Sequence, residues 1–244
     1  CRTSNFSQFV KSLNLPALGG RMCALRCENI HKIYGKSQQA TYAVRGISAE
    51  FQENTFYSVI GKSGSGKSTL IHLLSGLLKA DRGEIFYDEQ PLSTMNEQQL
   101  EHIKKKTGIV FQNYQLLPEL TVRENILLPA VLLEEKCDEE WCDVILEKLQ
   151  MTDIQSKYPD QLSGGQQQRC AIGRAFMNRP KYLFCDEPTG NLDKKTSESV
   201  LNFLLEIKEL TKPTIILVTH DLDIARSADV VLHIEDGKLV SKSL

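Results

Sequence analysis

The sequence predicts an α/β fold whose middle is a mostly helical insertion, and three observations predict it. Two bounded apolar runs, in "KYLFCDEP" and "PTIILVTH", have the length and unbroken apolarity of buried parallel strands. A glycine-rich loop, "GKSGSGKST" (Gly61 to Thr69), joins an apolar strand pattern to a helical one. Between these two ends, the stretch from about Val122 to Met151 follows helical spacing.

The elements follow in order from Leu25, where the pattern becomes regular. "RGISAEF" and "TFYSVIG" read as strands, and the second feeds the glycine-rich loop and a helix from Lys67 to about Leu78. "GEIFYDE" and "TGIVFQ" follow as strands, then the helical stretch, then a further helix behind "LSGGQ". "KYLFCDEP" is a strand, a helix starts at about Lys194, and "PTIILVTH" is the next strand. The chain then forms a hairpin, because "VVLHIEDGKLV" sets Asp236-Gly237 between two apolar strands. The segment holding Cys23, Cys27 and His31 reads as a strand, so their spacing is not taken for a zinc site. There is no internal repeat.

Composition narrows the function classes. The chain has 244 residues with 41% hydrophobic content, enough for a substantial core. Its 29 Lys plus Arg nearly balance its 31 Asp plus Glu, and a formal charge of −2 gives no electrostatic footprint for nucleic acid. The apolar run Ile126 to Leu133 contains Pro129 and is far shorter than the roughly 20 residues a membrane helix needs. No direct membrane span is expected. Seven scattered cysteines without a C-x-x-C pair fit free thiols in a reducing cytosol. Residues 1 to 21 are polar and rich in small side chains, and they read as an extension outside the domain, a flexible or vector-derived tail.

The chemistry is concentrated in short motifs. "GKSGSGKST" matches G-x-x-x-x-G-K-[ST], the phosphate-binding P-loop. Gly61, Gly64 and Gly66 let the backbone wrap the phosphates of a nucleotide, with Ser63, Ser65 and Thr69 completing the loop. Lys67 neutralises the β- and γ-phosphates, and Ser68 offers a hydroxyl to Mg²⁺. "YLFCDE" ends a buried strand with two carboxylates: Asp186 to hold Mg²⁺ through water, and Glu187 to polarise the attacking water as general base. His220 ends "PTIILVTH" at the strand edge where α/β sheets bind ligands, placed to donate to a γ-phosphate. Gln112 ends "TGIVFQ" at a similar edge, able to touch Mg²⁺ or water and to report the nucleotide's state. Tyr34 offers an aromatic face to an adenine. "QLSGGQQQR" is a second cradle, with Ser163, Gly164, Gly165 and Gln166 opening a helix whose N-terminus suits an anion. It lies on the insertion, away from the sheet that holds the P-loop.

From about Leu25 onward the chain resembles the ATP-binding subunit of an ATP-binding-cassette (ABC) transporter, matching in order Tyr34, the P-loop, Gln112, "LSGGQ", "YLFCDE", "GNLD" and His220. "FQNYQLLPELTVRENILLP" and "DEPTGNLD" are similar to the macrolide-export, lipoprotein-release and peptide-antibiotic-efflux class. The resemblance implies a P-loop NTPase core with a mostly parallel sheet, an antiparallel β subdomain and a helical insertion carrying LSGGQ. It implies an ABC ATPase domain over residues 22–244, with a helical subdomain at about 113–165. It also implies a Mg²⁺-dependent ATPase that dimerises head to tail on ATP binding. Ser163, Gly165 and their helix N-terminus would then serve the ATP held by the partner's P-loop, which explains why one chain carries two cradles. A separate membrane permease would contact Gln112 and the segment from Asn113 to about Leu133, with this subunit cytoplasmic and peripheral on the inner face of the membrane. The expected function is to power bacterial export or extraction of a peptide, antibiotic or lipid-like substrate. The alternative is a non-transporting regulator of a membrane-bound cell-division or cell-wall-hydrolase complex.

Overall fold

The computed structural model describes residues 23–35, 40–133, 137–190 and 192–243. The extension expected at residues 1–21 and Asn191 of "GNLD" lie outside the described residues. In chain order the elements are β1 (Cys23–Tyr34), β2 (Thr41–Gln52), β3 (Phe56–Ile60), α1 (Lys67–Leu74), β4 (Arg82–Tyr87), β5 (Gln90–Pro91), α2 (Glu97–Lys105) and β6 (Thr107–Val110). Then come α3 (Val122–Leu132), α4 (Glu139–Lys148), α5 (Gly164–Phe176), β7 (Tyr182–Asp186), α6 (Lys194–Thr211), β8 (Thr214–Val218), α7 (Leu222–Arg226), β9 (Val230–Glu235) and β10 (Lys238–Ser243).

The strands form two sheets. One is antiparallel, in the order β2-β1-β4-β5, and the other runs β10-β9-β3-β8-β7-β6. In the larger sheet β6, β7, β8, β3 and β9 are parallel, and only β10 returns antiparallel. Every residue of β7 and of β8 is buried, which is why these strands read as unbroken apolar runs rather than alternating ones. Alternate residues serve two cores. Ile215 and Leu217 of β8 face a core shared with Val122, Ile126, Trp141, Ile145 and Cys170 of the helices after β6. Ile216 and Val218 face the other core, shared with α1 and the antiparallel sheet through Leu70, Leu25 and Phe51. The hairpin turn has Asp236 at φ 47° and Gly237 at φ 75°, the doubly left-handed pair that a tight antiparallel turn requires.

Because the five central strands are parallel, their carboxyl ends emerge along one edge. That edge delivers the P-loop after β3, Gln112 after β6, Glu187 after β7 and His220 after β8.

Local details depart from expectation. Helix α1 stops at Leu74 rather than near Leu78, because Gly76 takes a left-handed φ of 75° and its N–H closes back on the Leu73 carbonyl at 3.1 Å. The helical stretch Val122 to Met151 is two helices, α3 and α4, the second started by an Asp138 side chain that accepts the Trp141 N–H. Helix α2 has no counterpart in the sequence reading. None of its residues is fully buried, its apolar face is just Leu100 and Ile103, and Asn96 and Gln99 form a reciprocal cap at its start.

Candidate functional site

The P-loop bends sharply to turn its backbone inward. Gly66 sits at φ 99°, and a Cβ there would lie 2.1 Å from the Ala43 carbonyl oxygen, so only glycine fits. It opens α1 with no side chain capping the helix and no acidic residue in the first turn. The N–H groups of that turn and the positive helix end are thus left to a phosphate. Lys67 is buried, and its Nζ donates to the Gly61 and Lys62 carbonyls at 2.9 Å each, folded over its own loop. A cavity of about 400 Å³ opens there, lined by Ser63, Gly64, Lys67 and Thr69 of the loop, by Gln112 and Glu187 on one side and by Tyr42 and Arg45 of β2 on the other.

The two carboxylates are set apart by their surroundings. Asp186, the last residue of β7, is buried, and its Oδ1 accepts the Ser68 hydroxyl at 2.8 Å. Burial pushes the Asp186 carboxyl above the usual carboxylate range, while the Ser68 hydrogen bond pulls the other way. Glu187 leaves the strand with a left-handed φ of 45°, and its N–H donates to the Val218 carbonyl at 3.1 Å. A non-glycine residue in that conformation carries strain. Its carboxylate is bracketed from two other strands: Gln112 Nε2 donates to Oε2 at 3.3 Å, and His220 Nδ1 lies 3.4 Å from the same oxygen. Residues 75 and 33 positions away from Glu187 thus meet at one atom.

The second cradle is elsewhere. Ser163 starts α5 with its Oγ accepting the Gln166 N–H while Gln166 Oε1 accepts the Ser163 N–H. Gly165 lies against Thr196 of α6, where a Cβ would come within 2.6 Å of the threonine methyl, and Gly164 lies against the Tyr114 hydroxyl. None of residues 161–169 lines the P-loop cavity.

Tyr34 is exposed at the end of β1, with Lys32 Nζ 5.9 Å from its ring centre, and it does not line the cavity. Tyr42 and Arg45 do, and the sequence reading passed over both, since an exposed strand tyrosine and arginine carry no motif. It also missed Arg174, whose guanidinium donates to the Tyr114 carbonyl at 2.8 Å and the Gln115 carbonyl at 2.5 Å. Burial holds the Arg174 pKa below its ordinary value. Tyr114 and Gln115 both sit at positive φ, so α5 clamps a tight turn two residues beyond Gln112.

A phosphate cradle on a parallel sheet, flanked by a buried aspartate and a glutamate held between glutamine and histidine, defines an ATP-hydrolysing P-loop protein. Residues 44–190 match the family model described as "ABC transporter", and the chain belongs to that family. It is 38% identical to the bacitracin export ATP-binding protein BceA of Halalkalibacterium halodurans, over 91% of this chain and 88% of that one. It is also 38% identical to the lipoprotein-releasing system ATP-binding protein LolD of Leptospira interrogans, over 87% and 89%. Among solved structures it is similar to the dimeric post-hydrolysis state of the ATP-binding cassette MJ0796 bound to ADP and Pi, with a TM-score of 0.82, 33% identity, and 90% and 97% of the two chains covered. The chain is an ATP-binding ATPase subunit of an ABC transporter.

Proposed function

We propose that this chain powers export or extraction of a peptide, antibiotic or lipid-like cargo. It works as a pair of subunits bound to the cytoplasmic face of a separate membrane permease. BceA and LolD, named for bacitracin export and lipoprotein release, support the cargo class. The observation that carries the catalytic reading is the convergence of Gln112 and His220 on Glu187 Oε2 at the mouth of the P-loop cavity.

In this reading residues 22–244 form one ATPase domain, and residues 113–165 are the helical subdomain that carries the second cradle toward a partner. The loop from Gly61 to Thr69 binds the phosphates through its N–H groups, and Lys67 swings from its own carbonyls to the β- and γ-phosphates. Ser68, Gln112 and Asp186 supply a hydroxyl, a carboxamide and a buried carboxylate, a donor set of oxygens suited to a hard divalent cation. A Mg²⁺ held there would neutralise charge developing on the phosphates. Glu187 takes the proton of the attacking water, Gln112 orients that water, and His220 donates toward the γ-phosphate. The fourth side of the phosphate is closed by Ser163, Gly164, Gly165 and Gln166 of a second copy, since these residues line no part of their own chain's cavity. ATP is then a ligand shared by two chains, so binding closes the pair and hydrolysis loosens it. Residues 113–133, anchored by the Arg174 clamp, carry the change to the permease.

Two expected results arise here. Tyr34→Ala removes the adenine's stacking partner and should raise the ATP concentration for half-maximal turnover by roughly threefold to tenfold, with the saturated rate nearly unchanged. Unaltered ATP affinity would remove Tyr34 from the site and leave Tyr42 as the aromatic neighbour of the cavity. Ser163→Arg pushes bulk and charge into the partner's phosphate cradle. Each monomer should still bind ATP, while turnover falls by roughly a hundredfold or more. Normal turnover in that variant would mean the second cradle takes no part in catalysis. For the transport role, the test is reconstitution in vesicles with the separate membrane permease. Cargo movement that stops in Glu187→Gln supports export, whereas a permease-bound ATPase that moves no cargo supports a regulatory output.

A further inference from the structure

Ser68 and His72 lie one turn apart on α1 and face the same carboxylate. Ser68 donates to Asp186 Oδ1 at 2.8 Å, and His72 Nε2 lies 3.6 Å from Asp186 Oδ2. These are the two polar side-chain contacts of Asp186 among the described residues. The His72 Nε2 atom is buried and makes no hydrogen bond, an arrangement that costs free energy unless the atom finds a partner. Its ring also stands 6.4 Å, centre to centre, from the ring of Phe111, the residue before Gln112. The imidazole therefore stands between Asp186 and the residue that precedes Gln112.

The geometry points to His72 as a positioning residue for Asp186, its Nε2–H closing the short remaining gap to Oδ2 and fixing the rotation of the carboxylate. The inference rests on the assignment of Ser68 and Asp186 to the divalent cation. A serine hydroxyl that faces a cation through a lone pair keeps its O–H for Oδ1, which leaves Oδ2 as the oxygen of Asp186 still in need of a donor. The imidazole supplies the second hydrogen bond, at Oδ2, that a metal-site carboxylate needs to hold its orientation. No motif includes His72, and it does not line the cavity.

The test measures Mn²⁺ retained by the ADP-loaded protein, using electron paramagnetic resonance, in the wild type and in His72→Leu, His72→Gln and Asp186→Asn. His72→Leu should weaken Mn²⁺ binding about tenfold, as loss of a partner behind a metal ligand does. ADP binding in the presence of EDTA should not change. Glutamine places an amide N–H near the position of Nε2, so His72→Gln should stay within about threefold of wild type. Wild-type Mn²⁺ binding in His72→Leu, alongside loss in Asp186→Asn, would overturn the positioning role while leaving the cation site intact. So would equal loss in the leucine and glutamine variants. If Asp186→Asn itself retains Mn²⁺ fully, the cation assignment fails, and the inference with it.

Discussion

Replacing Lys67 with alanine is expected to lower ATP turnover by at least about a hundredfold and to weaken nucleotide binding. The magnitude is that of removing a preorganised donor from a water-poor anionic site. The ammonium is buried, and its two present hydrogen bonds go to carbonyls of the loop itself, so it is held close to where the phosphates must sit. No other lysine or arginine of the loop is buried, and Arg45 at the far side of the cavity is too exposed to replace it. Fluorescent nucleotide binding and phosphate release, measured on the same preparation, separate the two effects. Near-wild-type turnover in Lys67→Ala would overturn the assignment of the cavity as the catalytic site.

The second large effect is expected in Glu187→Gln. The amide preserves the volume of the side chain and can still meet Gln112 and His220, but it cannot accept the proton of a water molecule. Losing a general base costs about a hundredfold to ten-thousandfold in rate. ATP binding is expected to persist, because Glu187 lines the mouth of the cavity and its carboxylate is held by Gln112 and His220 rather than by the phosphate loop. Binding without hydrolysis would leave the protein in its ATP-loaded state. A variant that lost binding and turnover together would identify Glu187 as a structural support of the cavity instead.

How much of this was legible in the sequence depended on whether the signal was local. The strands β7 and β8 stood out because burial on both faces removes polar alternation, and the Asp236-Gly237 hairpin because only certain residues accept positive φ at both turn positions. The P-loop, "LSGGQ" and the Asp186-Glu187 pair are contiguous, so their chemistry could be read from neighbouring letters. Gln112 and His220 were placed at strand ends by pattern, and the parallel sheet brings both to Glu187. What could not be read was contact between distant letters that no motif contains. His72 reaches Asp186 across 114 positions, and Arg174 reaches back to the Tyr114 carbonyl across 60. Helix α2 escaped because its apolar face is only two residues, Leu100 and Ile103, and the end of α1 was misjudged because Leu77 and Leu78 prolong the apolar run past the Gly76 cap.

The central claim is that the second cradle serves the ATP of another copy, and the most direct measurement is the molar mass of Glu187→Gln in solution with ATP and Mg²⁺. Size-exclusion chromatography with light scattering should show a dimer that forms with ATP, fails to form with ADP, and is abolished when Ser163→Arg is added to the same chain. A Glu187→Gln protein that binds ATP yet remains a monomer at high concentration, or a double variant that dimerises as well as the single one, would contradict the account.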